Sequence, residues 1–222
     1  PPPDAPTVLE SARAANAPTS NAARAPNPAT ADSTATQGPK VAFLGDSISA
    51  GLHLPADQAF PAVLQRQLAA RGTPFQLLNA GVSGDTTAGG LRRVDWILKQ
   101  NPALVVVELG ANDGMRGQPV ALVERNLRAI LAKIRERGAA TLLLGIRIPP
   151  SYGPSYVSEF EAIYPRVAGD LNVPYVPFFM EGVGGVPELN LPDGLHPTKE
   201  GHERLAEHLA EPLRKQLAEL PN

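Results

Sequence analysis

The chain has 222 residues, of which 43% are hydrophobic and 19% charged, a size that suits one globular domain with a single sizeable core. Its 20 Lys and Arg against 22 Asp and Glu give a formal net charge of -2, so it lacks the cationic surplus that holds a nucleic-acid backbone or an anionic bilayer. The absence of Cys excludes a disulfide scaffold, a zinc–thiolate site, an iron–sulfur cluster and a cysteine nucleophile.

The first 39 residues differ in composition from the rest of the chain. They hold 8 Pro, 11 Ala and 8 Ser or Thr, and all eleven aromatic residues lie at Phe43 or later. Such a stretch cannot bury enough apolar surface to offset its ordering entropy, so residues 1–39 are predicted to form a disordered Ala/Pro/Ser/Thr-rich tether and residues 40–222 the folded domain. No apolar run approaches the roughly 20 residues that span a bilayer. A tether of this kind suits an exported domain. We therefore expect a periplasmic or secreted protein, and a lipid anchor in the precursor is one way to attach it.

From Lys40 onward, short apolar runs alternate with amphipathic stretches. The apolar runs have the length of strands, and several are apolar throughout, as is typical of parallel strands covered on both faces; they are 41–44, 75–78, 104–107, 141–146 and 173–176. Helices are predicted at about 57–71, 87–99, 119–137 and 155–170, and a last helix after the favourable N-cap Thr198. This alternation predicts an α/β fold with a five-stranded parallel sheet and helices on both sides. Ligands of such sheets bind beyond the carboxyl ends of the strands.

Candidate catalytic residues lie in two of the loops at those strand ends. Ser47 follows the first strand by a short turn, which places a hydroxyl just beyond the sheet. Asp193 and His196 lie between the last strand and the last helix, where Gly194 tolerates a positive φ and Pro197 restricts the residue before it. The carboxylate can then fix the imidazole tautomer while the other ring nitrogen faces the Ser hydroxyl. Taken singly, a helix-capping Ser and a surface His explain these residues as well.

Two further strand ends offer donors for a developing oxyanion. The second strand leads into residues 81–86, where Gly84 presents an unhindered backbone N–H, and the third leads into residues 110–114, where the Asn112 amide can donate. Gly, Asn and Asp also dominate ordinary turns, so neither loop is decisive alone. All four loops in this order form a much stronger signal for a serine hydrolase.

In these loops the chain resembles the SGNH, or GDSL-type, hydrolases, and within them the bacterial thioesterase I/lysophospholipase L1 and arylesterase group. The four blocks of that family occur here as GDSIS at 45–49, GVSGDT at 81–86, GAND at 110–113 and DGLHP at 193–197. Less generic stretches also match, namely 108–117, 146–153, 162–165 and 177–181. The first block has Ile48 where the family name has Leu, a volume-conserving exchange.

The resemblance implies a role for each block. Ser47 would be the nucleophile, His196 the general base and acid, and Asp193 its orienting partner. The oxyanion hole would consist of the Ser47 N–H, the Gly84 N–H and the Asn112 side chain. The resemblance also implies a three-layer α/β/α fold similar to flavodoxin, no metal or organic cofactor, and a small-molecule ester or thioester substrate with an acyl chain.

An apolar acyl groove is expected beside the cleft, with ordinary loop packing as an equally good explanation of the same residues. The candidates for its lining are Leu109, Met115, Ile146, Ile148, Pro149 and Tyr152. Fatty acyl esters, acyl thioesters, lysophospholipids or short aryl esters are the substrates that the resemblance favours. A carbohydrate acetylesterase remains an alternative, as does a non-catalytic tethered lipid-binding module. The sequence carries no signal for an oligomeric state.

Several other polar residues have simpler explanations. His53, near the nucleophile, is interpreted as a partly wetted loop residue, and His202 and His208 as surface or helix-face residues of the last helix. Asp46 and Asp113 could form an acidic magnesium pocket. Structural hydrogen bonding is favoured for both, because a magnesium site would leave the Ser and His of the four blocks unexplained.

Overall fold

The computed structural model describes residues 38–221. The predicted tether therefore lies outside the described residues, apart from Gly38 and Pro39. No helix in this described part is long and apolar enough to cross a membrane.

A five-stranded parallel sheet forms the centre of the fold. In chain order its strands are β1 (Lys40–Gly45), β2 (Gln76–Asn79), β3 (Leu104–Glu108), β4 (Ala140–Leu144) and β5 (Tyr175–Val176), and their order across the sheet is β2-β1-β3-β4-β5. The winding reverses between β1 and β3, and open α/β sheets bind ligands at the carboxyl ends of such strands. The predicted five-stranded parallel sheet is confirmed.

Helices cover both faces of the sheet. They are α1 (Ser47–Ala50), α2 (Phe60–Ala70), α3 (Thr87–Leu98), α4 (Ala111–Met115), α5 (Val120–Glu136), α6 (Pro154–Glu161), α7 (Ile163–Leu171) and α8 (Lys199–Ala218), with short 3-10 turns at Ala56–Gln58, Pro150–Tyr152 and Pro187–Leu189. Helices α2 and α8 pack together, whereas α5 packs against both α3 and α7. The molecule is therefore the three-layer α/β/α sandwich that the family resemblance implies.

The core lies between the sheet and these two helical layers. Strand β3 is buried along its whole length and β1 from Val41 onward, because both strands are covered on both faces. Helix α8 contributes Leu205, Leu209 and Leu213, which are all at most 1% exposed. Their spacing of four keeps them on one side of the helix, so a rigid core supports the loops above the strands.

The predicted helix 155–170 is wrong in one respect, because the structure has two helices there. Helix α6 ends at Glu161 and α7 begins at Ile163, with Ala162 between them. Pro165 has no N–H to donate to the carbonyl four residues earlier, so a continuous helix would lose a hydrogen bond at this point. A Pro is well accommodated in the first turn of a helix, and the chain restarts its helix there.

Both strand predictions in the C-terminal half are too long. Strand β4 ends at Leu144 rather than at Ile146, and β5 is reduced to two residues of the predicted 173–176. Pro174 lacks an N–H, although its carbonyl still accepts from Leu143 N at 2.9 Å. The first predicted helix likewise begins at Phe60 rather than at 57, after the 3-10 turn.

Candidate active site

The turn between β1 and α1 presents Ser47 at the carboxyl end of the sheet. Ser47 is the first residue of α1, and Asp46 caps the helix by accepting the Ile48 N–H at 3.0 Å through Oδ1. A side chain at Gly45 would collide with Ser49 Oγ, so this close packing requires Gly. Local hydrogen bonds therefore hold the turn in place, and the lack of a Cβ at Gly45 allows it to pack closely.

Ser47, His196 and Asp193 form a continuous line of hydrogen bonds. The Oγ of Ser47 lies 2.8 Å from Nε2 of His196, and Nδ1 of His196 lies 2.7 Å from Oδ2 of Asp193. The other carboxylate oxygen of Asp193 accepts the N–H groups of Leu195 and His196 at 2.9 and 3.0 Å. An Asp three residues before the His can therefore fix both the backbone of the turn and the orientation of the imidazole.

The electrostatics of this turn keep Asp193 ionised. Partial burial opposes ionisation, but the hydrogen bonds from the His196 N–H, the Leu195 N–H and the imidazole outweigh it and lower the pKa of Asp193 to about 2. An ionised Asp193 accepts the proton on Nδ1 of His196, which leaves Nε2 free to accept from the Ser47 hydroxyl.

The two predicted oxyanion donors face the same cavity as Ser47 and His196. Gly84 has a φ of +77°, and its N–H forms no hydrogen bond within residues 38–221. Asn112 donates one amide hydrogen to Asp46 Oδ2 at 3.2 Å, which leaves the second hydrogen available. The structure therefore brings together all five residues that the sequence predicts for the triad and the oxyanion hole.

The carboxyl group of Glu108, at the end of β3, lies beneath the turn that carries Ser47. Its Oε2 accepts from Asp46 N–H, Ser49 N–H and Ser49 Oγ, at 3.2, 3.3 and 2.7 Å. Burial and the neighbouring charge of Asp46 raise the pKa of Glu108 well above its usual range. Burial also raises the pKa of Asp46, to about 6.

Asp113 takes the structural role that the sequence favours for it. Its carboxylate accepts from the N–H and the Oγ1 of Thr87, the first residue of α3, at 2.8 and 2.7 Å. Asn126 on α5 donates in turn to Thr87 Oγ1 at 3.1 Å. These bonds tie α4, α3 and α5 together next to Asn112.

Within residues 38–221, no group of three or more His, Asp and Glu side chains is placed to hold a metal ion.

Arg93 on α3 links the first two strand-end loops. Its guanidinium donates to Gly45 O at 2.8 Å, to Ala80 O, and to Asp85 Oδ2 at 2.7 Å. The loop that carries Gly84 is therefore fixed relative to the end of β1 through one planar group with several donors.

An apolar groove of about 310 Å³ opens beside Ser47. Four of the six residues predicted to line it do so, namely Met115, Ile146, Ile148 and Pro149. The prediction is wrong for Leu109, which is fully buried because its side chain packs into the space that the missing Cβ of Gly90 on α3 leaves open. It is also wrong for Tyr152, which does not line the groove and is 40% exposed at the end of a 3-10 turn.

The remaining lining residues come from α1, from the start of α4 and from the three loops that follow α1, β4 and β5. They include Ile48, Leu52, Ala111, Arg147, Phe178, Phe179, Met180 and Leu195. Arg147 is a cation in this largely apolar set, and its guanidinium lies 4.8 Å from the centroid of the Phe178 ring. The aromatic contribution from 178–179 was not predicted, because it depends on how the loop after β5 folds back over the strand ends.

The other three His residues lie in different environments. His53 is exposed, has a φ of 70°, and its ring meets that of His196 edge-on with centroids 6.2 Å apart. His202 lies on a buried face of α8 and is 1% exposed, so of the two interpretations, surface or helix face, the surface one is wrong; its Nδ1 accepts the Phe60 N–H at 3.0 Å. Burial, together with the charge of His196, lowers the pKa of His202 to about 4. His208 is half-buried on α8.

Sequence reasoning missed Glu108 and Arg93, although one of them carried a signal. Glu108 ends the apolar run 104–107, and a charged residue continuing a buried strand is rarely fully buried without a partner. Arg93 gave no comparable signal, since an Arg on an amphipathic helix usually faces solvent.

Comparison with known proteins places this geometry in context. The model of the GDSL-like Lipase/Acylhydrolase family matches residues 43–204. The chain is 47% identical to "Esterase TesA" of Pseudomonas aeruginosa over 167 residues, which cover 75% of this chain and 83% of the relative. It is 41% identical to "Thioesterase 1/protease 1/lysophospholipase L1" of Escherichia coli K12, over 81% of this chain and 84% of the relative. A crystal structure of TesA superposes with a TM-score of 0.77 at 46% identity, covering 80% of this chain and 99% of that one.

Proposed function

The chain belongs to the GDSL-like lipase/acylhydrolase family, and from this membership we propose a serine esterase that hydrolyses carboxylic esters and acyl thioesters. The observation that carries the proposal is the hydrogen-bonded line from Ser47 Oγ through His196 to Asp193. It lies at the side of an apolar groove, where an acyl chain would be held next to the hydroxyl.

In the first half of the reaction, Ser47 becomes acylated. Its Oγ attacks the carbonyl carbon while Nε2 of His196, 2.8 Å away, takes the hydroxyl proton. Negative charge then develops on the former carbonyl oxygen, where the Ser47 and Gly84 N–H groups and the second hydrogen of the Asn112 amide stabilise it. As the C–O or C–S bond breaks, the imidazolium returns its proton to the leaving alkoxide or thiolate.

In the second half, water replaces the leaving group and the same residues act again. His196 takes a proton from the water as its oxygen attacks the acyl carbon, and the protonated imidazole then donates to Ser47 Oγ as the acid departs. Asp193 stays ionised throughout and stabilises the imidazolium through the bond of 2.7 Å to Nδ1. The enzyme returns to its starting state with one ester bond hydrolysed.

The groove favours substrates with an acyl chain. Apart from Asp46, Arg147 and His196, no charged or titratable side chain lines it among the described residues. Its volume of about 310 Å³ falls at the lower end of the range for small-molecule sites. The names of the relatives, an esterase and a thioesterase/lysophospholipase, agree with esters of this class. We propose fatty acyl esters and thioesters as the substrates, ahead of acetylated carbohydrate.

The composition of residues 1–39 supports a proposal about location. A stretch of this Pro- and Ala-rich composition suits a spacer between an anchor or export signal and an enzyme domain. We propose that the enzyme works outside the cytoplasm, in the periplasm or beyond. Fractionation of cells that express the full precursor tests this, and a cytoplasmic location would contradict it.

A chain-length series tests the activity. Steady-state hydrolysis of p-nitrophenyl acetate, butyrate, octanoate and palmitate is measured for the wild-type protein and for Ser47→Ala. We expect turnover with an optimum beyond acetate, and loss of turnover in Ser47→Ala. Gln118→Ala, which changes a residue outside the groove lining, serves as a matched control and should keep wild-type rates.

Each other outcome separates the alternatives. Activity confined to acetate would favour the carbohydrate acetylesterase. The lack of any turnover, with saturable fatty-acid binding that survives Ser47→Ala, would favour the lipid-binding module. Turnover that survives Ser47→Ala would contradict Ser47 as the nucleophile.

A further inference from the structure

The carboxyl groups of Asp46 and Glu108 are paired beneath the Ser47 turn. Neither of them takes up or releases a proton in the acyl-transfer steps described above. Each carboxyl group influences the pKa of the other, the Asp46 N–H donates to Glu108 Oε2 at 3.2 Å, and the two residues are only 1% and 0% exposed. None of the ion pairs formed within residues 38–221 includes either carboxyl. Two adjacent buried carboxyl groups without a paired cation strongly disfavour double ionisation, because each negative charge raises the cost of the other.

The two oxygens of Glu108 differ in their partners. Oε2 accepts three hydrogen bonds from the Ser47 turn, two from backbone N–H groups and one from Ser49 Oγ. Oε1 is buried and receives no hydrogen bond from any donor in the described residues. A buried carboxylate oxygen without a donor is costly, whereas a protonated Oε1 is itself a donor that needs only an acceptor. The neighbouring Asp46 carboxylate can serve as that acceptor, because an ionised carboxylate has lone pairs beyond those that Ile48 and Asn112 use.

Asp46 has the contacts of an ionised carboxylate. Its Oδ1 accepts the Ile48 N–H at 3.0 Å and its Oδ2 accepts the Asn112 amide at 3.2 Å. The other titratable groups that act on the pair are His196 and Asp85, which act on Asp46, and Tyr164, which is influenced by both carboxyls. Burial raises the pKa of both carboxyl groups, which agrees with a proton held by the pair at neutral pH.

We propose that Asp46 and Glu108 hold a single proton at neutral pH, carried on Glu108 Oε1 and donated to the Asp46 carboxylate, and that Glu108 is thereby a positioning residue for Ser47 and Asn112. The neutral Glu108 keeps Oε2 as the acceptor that fixes the nucleophile turn. The ionised Asp46 fixes the amide of Asn112. One shared proton thus sets the orientation of the nucleophile and of an oxyanion donor at the same time.

Two substitutions of similar size separate a neutral from an ionised Glu108. In Glu108→Gln, the amide oxygen can accept the bonds of Oε2 and the NH₂ group can donate to Asp46, as the protonated acid does. Glu108→Met keeps the length of the side chain and loses both functions. We expect Glu108→Gln to keep kcat within about threefold of wild type and Glu108→Met to lose about 10²-fold in kcat with KM changed little, since misplacing reacting groups by about 1 Å costs this much.

A spectroscopic measurement tests the proton directly and needs no turnover. The wild-type protein, labelled with ¹³C at the Glu side-chain carboxyl carbons, is titrated by NMR, and the Glu108 resonance is assigned by its absence from Glu108→Gln. We expect this resonance at the position of a protonated acid at neutral pH, whereas exposed Glu residues show carboxylate positions. Ser47→Ala should leave the Glu108 resonance protonated.

The kinetic arm rests on the proposed ester hydrolysis, and the NMR arm does not. A protonated Glu108 in a protein that hydrolyses no ester would support the shared proton and contradict the proposed function. A Glu108 carboxylate at neutral pH would overturn the shared proton, as would a folded Glu108→Gln that loses as much kcat as Glu108→Met. If Glu108→Gln does not fold, the resonance is assigned from through-bond spectra of the wild-type protein and its position decides the question.

Discussion

Replacing His202 with Asn should remove an acid sensitivity that the buried imidazole confers on the fold. The Nδ1 of His202 accepts the N–H of Phe60, the first residue of α2, and its ring stacks on the Phe60 ring with centroids 6.2 Å apart. Protonation would bury a charge and convert the acceptor into a donor that faces an N–H. The fold therefore requires neutral His202, and an Asn at this position can offer its Oδ1 to the same N–H without titrating.

The sign and size of the effect follow from the pKa of His202, about 4 in the fold against 6.5 for an ordinary His. As the pH falls below 6.5, the unfolded chain takes up a proton that the folded protein refuses until about pH 4. The free energy of unfolding should therefore decrease over this range, by roughly 3 kcal/mol in total. Above about pH 7 the contribution is fully present.

The wild-type curve alone would conceal this loss, because Asp46 acts in the opposite direction. Its pKa is raised from 3.8 to about 6, so the folded protein gains a proton before the unfolded chain does, and acidification between these values stabilises the fold. The measurement is therefore the difference in unfolding free energy between wild type and His202→Asn. Asp46 is present in both proteins, so its contribution cancels.

Urea unfolding of both proteins between about pH 7.5 and pH 4 gives this difference. His202→Asn should be less stable near pH 7.5, because the smaller side chain loses packing against Phe60. Wild type should then lose roughly 3 kcal/mol relative to the variant as the pH reaches 4. A difference that stays constant across this range would refute the account of a neutral, buried His202.

Three further substitutions probe the site. Asn112→Ala should lower kcat by about 10² to 10³ in the ester assay, and an unchanged kcat would remove Asn112 from the oxyanion hole. Asp193→Asn places an NH₂ group against His196 Nδ1 and should cost about 10⁴ in kcat by forcing the unproductive tautomer, so a loss of less than about tenfold would contradict the role of Asp193. A Cβ in Gly81→Ala would collide with the backbone of Ala50, and we expect a loss of about 1 to 3 kcal/mol in urea unfolding, whereas an unchanged midpoint would mean that the loop moves aside freely.

The sequence predicted the sheet well because its central strands are nearly pure apolar runs. Residues 41–44 and 104–107 are apolar throughout, as is typical of parallel strands that are covered on both faces of a sheet. Errors arose where a single Pro decided the outcome: Pro165 divides one predicted helix, and Pro174 shortens the edge strand β5. Helices α1 and α4 are too short for hydrophobic periodicity to reveal them.

For the site as well, the sequence predicted features that depend on local residues better than features that depend on long-range contacts. Ser47, Asp193 and His196 could be proposed because each lies in a short sequence block with recognisable turn residues, and the topology brings the blocks together at the carboxyl ends of the strands. The lining of the groove was harder, since Leu109 and Tyr152 follow strand ends yet point away from it. Whether a side chain near a strand end faces the cleft depends on the pleat and on loop geometry, which sequence spacing alone does not specify.

Glu108 illustrates what the pattern of residues leaves open. Its position directly after an apolar run is a signal of burial, but its contacts with Asp46 and with the Ser47 turn depend on the register of β1 against β3, in which Gly45 pairs with Glu108. The catalytic roles of the site residues stay predictions that the hydrogen-bond geometry supports and that mutagenesis must test.

The most direct test of the central claim is to identify the residue that becomes covalently modified. The protein is incubated with a p-nitrophenyl alkylphosphonate, which phosphonylates an activated serine, and the adduct is located by mass spectrometry of the digested protein. The account predicts one adduct per chain, on Ser47, with parallel loss of esterase activity and no labelling of Ser47→Ala. An adduct on another residue, or full activity in a protein labelled on Ser47, would contradict it.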